Sequence, residues 1–156
     1  MVAPLDLPSL AQQASDVVVG RVESQSARWT QDHSAIFTEV TVRVSQSVKG
    51  ISKAGDAIVL RREGGEVGGL GMLVTGAARF TVGEEVVLFL EKRGAALWTV
   101  GMAQGKLHVA VIDGRKVAIR DVGGLGFVAP PAPEPAVRPL DELIGIVRAE
   151  LRKVRK

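Results

Sequence analysis

The stretch that most constrains the fold is residues 15–29, SDVVVGRVESQSARW. Val17, Val18 and Val19 are β-branched, so they favour an extended strand over a helix. Because they occupy successive positions, we expect both faces of that strand to be buried. Gly20 follows them, and a glycine inside a strand is typical of a bulge or a sharp bend. The stretch therefore predicts one long, coiled strand around which the later strands fold.

The second strand has the clearest alternating pattern in the chain. One face carries Thr38, Val40, Val42, Val44 and Val48, and the other carries polar side chains. This period of two predicts a strand with one solvated face. Further strands are predicted at Ala57 to Arg62, at Glu85 to Leu90, and on either side of the Asp113-Gly114 turn.

Helices are predicted at the two ends of the chain. Residues 8–14 fit about two helical turns with Ser9 as N-cap, and Pro130 to Pro135 fit a polyproline spacer. An apolar stripe beyond the spacer predicts an amphipathic helix; it consists of Leu140, Leu143, Ile144, Val147, Leu151 and Val154. The predicted organisation is an OB-like β-barrel domain at 1–128, a proline-rich connector at 129–138 and a C-terminal helix at 139–156 docked on the barrel.

Composition and charge narrow the classes of function. The chain has no cysteine, which removes disulfides, thiolate metal sites and thiol catalysis. No apolar run approaches the ~20 residues of a membrane helix, so no membrane span is predicted. The net charge of +3 comes from the C-terminal tail: five cations and one acid give residues 148–156 a charge of +4, and the remainder carries −1. The five cations are Arg148, Arg152, Lys153, Arg155 and Lys156, and they predict a solvated helix end or a weak contact with an anionic surface.

The residue types that carry chemistry do not form a recognisable catalytic pattern. His33 lies between Asp32 and Ser34 in a predicted turn, and adjacency in a loop does not provide the relay of a catalytic triad. His108 is predicted on the strand face opposite Leu107. Neighbouring Glu84 and Glu85 are expected to point to opposite faces, so they do not form a carboxylate pair. The sequence predicts no catalytic residue, no metal site, no cofactor and no enzymatic activity.

Residues 64–71, GGEVGGLG, invite three interpretations. A phosphate-binding loop requires a following helix, whereas Met72-Leu73-Val74 is strand-like. The second interpretation is a tight or bulged connection that uses positive φ angles. The third is a recognition loop at the barrel mouth, for which we predict binding residues on the loop and the barrel rim: Glu66, Leu70, Met72, Arg79 and Trp29.

Four segments carry a family resemblance: residues 14–22, ASDVVVGRV; 40–44, VTVRV; 48–50, VKG; and 83–90, GEEVVLFL. In this order they resemble the netrin-like module, the OB barrel of the tissue inhibitors of metalloproteinases, and uncharacterised secreted bacterial proteins with the same spacing. The resemblance covers about Leu10 to Val111. It implies a mainly β chain with a five- to seven-stranded OB-like (netrin-like) barrel, a short N-terminal helix and a C-terminal amphipathic helix. The zinc-chelating N-terminal cysteine of those inhibitors has no counterpart here.

The resemblance implies a non-enzymatic extracytoplasmic protein-binding module, either a protease inhibitor of another mechanism or an envelope-associated factor, with a protein partner. Residues 1–8 lack the basic start and apolar core of a signal peptide, so a secreted or periplasmic location implies a leader that is not part of the printed sequence; a cytoplasmic location stays an alternative. The alternative function is a nucleic-acid-binding or polyanion-binding OB-fold protein. That alternative is disfavoured because aromatic residues are only 4% of the chain and stacking on aromatics is what such barrels need.

Overall fold

The computed structural model describes residues 3–120 and 134–154. The described part is mainly β, with one short helix near the N-terminus and one longer helix at the C-terminal end, as the sequence predicts. The strands are β1 Asp16–Trp29, β2 Ile36–Lys49, β3 Ala57–Glu63, β4 Gly65–Val67, β5 Leu70–Met72, β6 Glu85–Arg93, β7 Ala96–Thr99, β8 Lys106–Ile112, β9 Arg115–Arg120 and β10 Val137–Pro139. The helices are α1 Leu7–Gln13 and α2 Leu140–Val154, and a 3-10 turn spans Met102–Gly105.

Five strands form a ring. Strand β1 pairs with β2, β2 with β3, β3 with β7, β7 with β6, and β6 again with β1. The β3–β7 pairing is parallel and the other four are antiparallel. Strands β8, β9 and β10 extend the sheet outwards from β6, while β4 and β5 form a separate hairpin. The pairing of β1 with β6 closes the ring, because β1 begins the row of paired strands in which β6 follows β7.

Gly20 lies at a register shift of β1, where the sequence predicts a bulge or bend. Val19 pairs with Gln46 but Gly20 pairs with Val44, so one residue of β2 is skipped. The skipped residue, Ser45, donates its hydroxyl to the Val19 carbonyl at 3.1 Å. Such irregularities increase local twist and coil a strand, which allows β1 to pair with β6 and β2 together.

Two apolar clusters lie on opposite faces of this sheet. The cluster inside the ring includes Val18, Val22, Val40, Val42, Val44, Leu60, Phe80, Val86, Leu88 and Leu90. The cluster outside the ring lies under the two helices and includes Leu10, Val17, Val19, Val87, Phe89, Leu107, Leu143 and Val147. Successive valines of β1 thus serve different clusters, which explains why the predicted strand is apolar on both faces.

The end of β2 differs from its predicted pattern. Thr38, Val40, Val42 and Val44 are buried on one face as expected. Val48, predicted on that face, instead packs against the cluster under the helices. The two register shifts that precede Lys49 in the pairing rotate this end of the strand.

The helices also differ in detail from prediction. The N-cap of α1 is Asp6, whose carboxylate accepts the backbone N–H of Ser9 at 2.9 Å. Ser9 is therefore inside the helix, and its prediction as N-cap was wrong by one turn. Helix α2 begins at Leu140 because residues 137–139 continue the sheet as β10, paired with β9. The predicted polyproline spacer lies almost entirely outside the described residues.

Candidate functional site

The glycine-rich stretch 64–71 forms most of a β-hairpin made of β4 and β5. Gly68 and Gly69 form its turn with φ angles of +57° and +82°, the left-handed pair that a two-residue hairpin turn requires. The expectation that this stretch uses positive φ angles is confirmed. Leu73 directly follows β5, so the hairpin and the residue after it carry three exposed apolar side chains: Leu70 at 61%, Met72 at 37% and Leu73 at 80%. We call these three residues together with Trp29 the hairpin surface.

The root of the hairpin is fixed to the β1–β2 pair. The Gly64 N–H donates to the Ile36 carbonyl at 2.8 Å, and the Thr38 hydroxyl donates to the Gly64 carbonyl at 2.7 Å. A methyl group on Gly65 would lie 2.5 Å from the Thr38 hydroxyl oxygen and 3.0 Å from the Cβ of Ala27, so only glycine fits there. At the tip, a methyl group on Gly68, Gly69 or Gly71 would meet nothing within 4 Å. The hairpin is thus anchored at one end and open to solvent at the other.

Trp29 joins the hairpin surface through its strand partner. It ends β1 opposite Ile36, whose backbone N–H lies 3.2 Å from the sulfur of Met72. The indole ring stacks on the His33 imidazole, with ring centroids 5.4 Å apart and an angle of 26° between the planes. Stacking holds the half-buried Trp29 at the rim. Of the predicted binding residues, Trp29, Glu66, Leu70 and Met72 therefore gather at one end of the molecule.

The turn beside Trp29 has no catalytic geometry. The Asp32 carboxylate accepts hydrogen bonds from the hydroxyls of Ser34 at 2.7 Å and Thr30 at 2.8 Å. These bonds and the Ser34 backbone N–H lower the pKa of Asp32 to about 2. Ser34 therefore donates to Asp32 directly rather than through His33. The arrangement is that of a solvated turn closed by an aspartate.

Arg79, the fifth predicted binding residue, lies elsewhere along the chain. It is exposed on the segment between β5 and β6, next to the buried Ala78 and Phe80. This segment holds the inner core, because Phe80 packs inside the ring and its carbonyl accepts the Gln25 amide at 2.8 Å. Burial and then the charge of Arg79 lower the pKa of Arg62, the last inward-facing residue of β3.

A second polar cluster forms where β6 begins beside β8. The Glu84 carboxylate lies 2.7 Å from the Lys106 ammonium and 2.6 Å from Nδ1 of His108, and it accepts the Thr81 N–H at 3.1 Å. Burial raises the pKa of Glu84, but these hydrogen bonds outweigh burial and leave the pKa below its ordinary value. Glu85 instead pairs with Arg21 and Lys116 on the other face of the sheet, which confirms that the two acids point apart. Glu84 is an ionised partner in a structural network rather than a free general base.

Sequence reasoning missed Leu73, Arg62 and the Glu84 cluster. The pattern of Met72-Leu73-Val74 fitted a short edge strand, so Leu73 was not predicted as a binding residue. In the structure, strand β5 ends at Met72 and Leu73 follows it. The Glu84 cluster joins residues 22 and 24 positions apart, and no local pattern signals such a contact. Within 3–120 and 134–154, no three His, Asp or Glu side chains come together as a metal site would require.

Most arginines on the outward faces of the ring are paired with glutamates. Arg28 and Arg61 share Glu39 at 3.1 and 3.6 Å, and Arg43 pairs with Glu23 at 3.1 Å. A groove for nucleic acid needs basic side chains that are free to meet phosphates. The paired arginines of this face are therefore not free to meet phosphates.

The C-terminal cations are only partly described. Arg148, Arg152 and Lys153 are exposed on α2, and Lys153 pairs with Glu150 at 3.4 Å; the remaining predicted cations, Arg155 and Lys156, lie outside the described residues. Neither α1 nor α2 is long and apolar enough to cross a membrane.

Comparison of the chain with protein-family models, curated proteins and solved structures returned no match.

Proposed function

We propose that this chain is a non-enzymatic, extracytoplasmic protein-binding module that contacts its partner through the hairpin surface. The observation that carries the proposal is the exposure of Leu70, Met72 and Leu73 on a hairpin whose root is fixed. Exposed apolar side chains cost free energy in water, and contiguous ones mark interaction sites. A rigid root also reduces the entropy lost when a partner binds.

The composition of the hairpin surface supports a protein partner with an apolar segment. Trp29 and Met72 belong to residue types enriched in protein interfaces, and methionine adapts its shape to the partner. Glu66 is exposed on the neighbouring strand β4, where it pairs with Gly71, and adds a charged side chain to the same hairpin. An apolar centre with a polar rim is the usual anatomy of a protein interface.

The extracytoplasmic location and the two more specific roles, a protease inhibitor or an envelope-associated factor, are proposed from the family resemblance of the sequence. An inhibitor of this kind would act by blocking access with the hairpin, because the chain has no cysteine for zinc chelation. The non-enzymatic part is supported by Glu84 and His108, which are engaged with each other. These side chains are the strongest acid–base candidates in the described part of the chain.

The test compares two double variants of equal chemistry at two exposed apolar sites. Leu70→Ser with Leu73→Ser removes the two most exposed apolar side chains of the hairpin surface. Val111→Ser with Ile112→Ser removes the apolar tip of the β8–β9 hairpin, where the two side chains are 66% and 50% exposed. Each purified variant and the unchanged chain is immobilised at equal density, and binding of partners from envelope extract and culture fluid is measured.

We expect a partner whose affinity falls about tenfold or more in the Leu70/Leu73 variant, because hot-spot side chains at the centre of an interface carry losses of that size. The Val111/Ile112 variant should retain the affinity of the unchanged chain. Thermal unfolding of all three proteins checks that a loss of affinity does not come from unfolding of the variant. Binding that depends on Val111 and Ile112 instead, or turnover of a small substrate without any protein partner, would overturn the proposal.

A further inference from the structure

Strand β5 has an open edge. Each strand of the ring pairs with at least two others, whereas β5 pairs with β4 alone among the described residues. All three residues of β5, Leu70–Met72, are exposed. A strand with a neighbour on one side only presents unpaired N–H and C=O groups on its other side. The edge of β5 is therefore accessible to another stretch of extended backbone.

Gly71 carries the outward-facing backbone groups of this edge. Val67 pairs with Leu70 across the two-residue turn, and residues that flank such a turn exchange both hydrogen bonds of a ladder pair. Glu66 and Gly71 form the next pair, in which the N–H and C=O groups point away from the partner strand. The N–H and C=O of Gly71 thus face the open side of β5. A methyl group on Gly71 would meet nothing within 4 Å, so a second backbone has room to approach.

The edge of β5 lacks the features that keep other chains away from edge strands. Proteins usually place charges, prolines or bulges on such strands. Strand β10, which ends the eight-stranded sheet, contains Arg138 and Pro139 and runs directly into α2. Residues 67–78, VGGLGMLVTGAA, contain neither a charged residue nor a proline. An edge without this protection is a template for the addition of another strand.

The side chains of β5 indicate what kind of segment fits this edge. Leu70 and Met72 point to one face of the strand because side chains alternate, and Gly71 between them leaves the other face bare. An added strand places every second side chain beside Leu70 and Met72, where apolar pairs are favourable. Because residues 67–78 are uncharged, the matching segment is uncharged as well, with an apolar side chain at every second position.

The size of the edge favours a short extended segment over a second folded copy of this chain. A stable complex of two folded proteins buries about 800 Å² on each partner. Strand β5 has three residues, so it spans roughly 10 Å, and the pairing of two such strands covers much less than that area. An extended segment gains main-chain hydrogen bonds along this length and needs no second folded surface.

We propose that β5 binds its partner by strand addition: an extended, uncharged segment of the partner polypeptide pairs antiparallel with β5, exchanges two hydrogen bonds with Gly71 and places apolar side chains beside Leu70 and Met72. This proposal rests on the proposed function for the place where the partner binds. Strand addition itself is measured with a synthetic peptide, so the two proposals fail in different experiments.

The probe is a seven-residue peptide of alternating valine and threonine between two terminal lysines, acetylated and amidated at its ends. In an antiparallel pairing its valines lie beside Leu70 and Met72, and a threonine exchanges the hydrogen bonds with Gly71. Binding is followed by ¹H–¹⁵N NMR of the β5 amides, and we expect a dissociation constant on the order of 1 mM. The same peptide with methylated threonine nitrogens keeps every side chain but loses the donor, so it should bind at least tenfold more weakly.

Two variants at Gly71 separate main-chain pairing from contact between side chains. Gly71→Pro removes the outward N–H, and proline is tolerated in an edge strand at such a position. Gly71→Ala keeps the N–H and serves as its reference. The proline variant should bind the peptide at least tenfold more weakly than the alanine variant. Thermal unfolding checks that both variants are folded, and the methylated peptide tests the same hydrogen bond on the unchanged chain.

Val82→Pro is the control for the introduction of a proline elsewhere. Val82 is 58% exposed in a turn that is closed by the Glu84 N–H, which donates to the Thr81 carbonyl at 3.0 Å. Proline is favoured at the second position of such a turn. This variant should bind the peptide as tightly as the unchanged chain does.

Solvent exchange of the Gly71 amide gives a second measurement. Pairing engages this N–H, so its exchange should slow about fivefold when four-fifths of the protein carries the peptide. Weaker binding in Gly71→Pro and by the methylated peptide, together with slower exchange at Gly71, supports strand addition.

Equal binding of the two peptides, or equal binding by the alanine and proline variants, would show that side chains alone make the contact and would overturn the proposal. The absence of a saturable shift would overturn it too. Shifts of the β5 amides with protein concentration, in the absence of peptide, would assign the edge to a second copy instead. Retention of partner capture in the Leu70/Leu73 variant would count against the proposed function and leaves the peptide titration as it is.

Discussion

At the scale of single residues, Gly20 decides the path of the longest strand. Its position is buried, and it pairs with strands on both sides. A methyl group there would lie 2.5 Å from the Arg43 carbonyl oxygen and 2.7 Å from a methyl carbon of Val42. The first of these neighbours is backbone, which cannot move aside without disturbing the β1–β2 pairing. Glycine is required here for the close approach of two strands.

We therefore predict that Gly20→Ala lowers the free energy of unfolding by about 1–3 kcal/mol, the usual cost of forcing extra volume into a packed core. Gly71→Ala is the matched control, because a methyl group on Gly71 would meet nothing within 4 Å. The control should change stability by less than about 0.5 kcal/mol. Chemical denaturation at pH 7 measures both values. Equal stabilities of the two variants would contradict the close approach described for Gly20.

Features that depend on residues close in sequence were predictable, whereas features that depend on closure of the ring were not. The bend at Gly20, the alternation from Thr38 to Val44 and the Asp113-Gly114 turn were predictable because each depends on neighbours a few positions away. The sequence did not place Arg62 inside the ring, since period two alone does not say which face is inside. That distinction depends on ring closure through β3 and β7.

At the scale of elements, β8 is attached to the ring through four residue pairs with β6 and through the Glu84 network at their edge. Lys106 is largely buried, with 16% of its side chain exposed, and Glu84 has 8% exposed. The Lys106 ammonium also lies 5.5 Å from the centre of the Phe80 ring. The network thus connects β8, the start of β6 and the segment that closes the inner core. The register of two distant strands creates this contact, so the sequence alone did not predict it.

Glu84→Gln should lower stability at pH 7 by about 1–3 kcal/mol, because it leaves the buried Lys106 ammonium without a counter-charge. The pKa of Glu84 is lowered in the folded protein. The ionised Glu84 therefore stabilises the fold at pH values above its pKa in the unfolded chain, which is near 4.5. This stabilisation is lost as the pH falls through the lower pKa of Glu84 in the folded protein. The difference between the variant and the unchanged chain should therefore shrink below about pH 4.5.

The pH dependence is measured by urea denaturation between pH 7 and pH 3. Glu66→Gln provides the control, since Glu66 is exposed on the hairpin and forms no ion pair with the described residues. Its stability should follow that of the unchanged chain at every pH. A deficit in Glu84→Gln that stays constant down to pH 3 would contradict the ionised network.

At the scale of the whole molecule, the two apolar clusters are separated by a sheet that they share. Val17 and Val19 of β1 face the cluster under the helices, while Val18 faces the cluster inside the ring. Strand β6 alternates in the same way, with Phe89 on one face and Leu88 on the other. Loss of either cluster removes packing from both strands, so the ring and the helices are expected to unfold together.

Two substitutions of equal chemistry test this coupling. Leu143→Ala removes a fully buried side chain of α2 from the outer cluster, and Leu88→Ala removes a fully buried side chain of β6 from the inner cluster. Each should lower the free energy of unfolding by about 2–5 kcal/mol, the range for a buried leucine replaced by alanine. Both variants should unfold in one transition. In each variant, the free energy that protects the β1 amides from hydrogen exchange should fall by the same amount as the free energy of unfolding. A Leu143→Ala protein that loses helical signal in an early step, while its β1 amides remain protected, would show that the helices and the ring unfold independently.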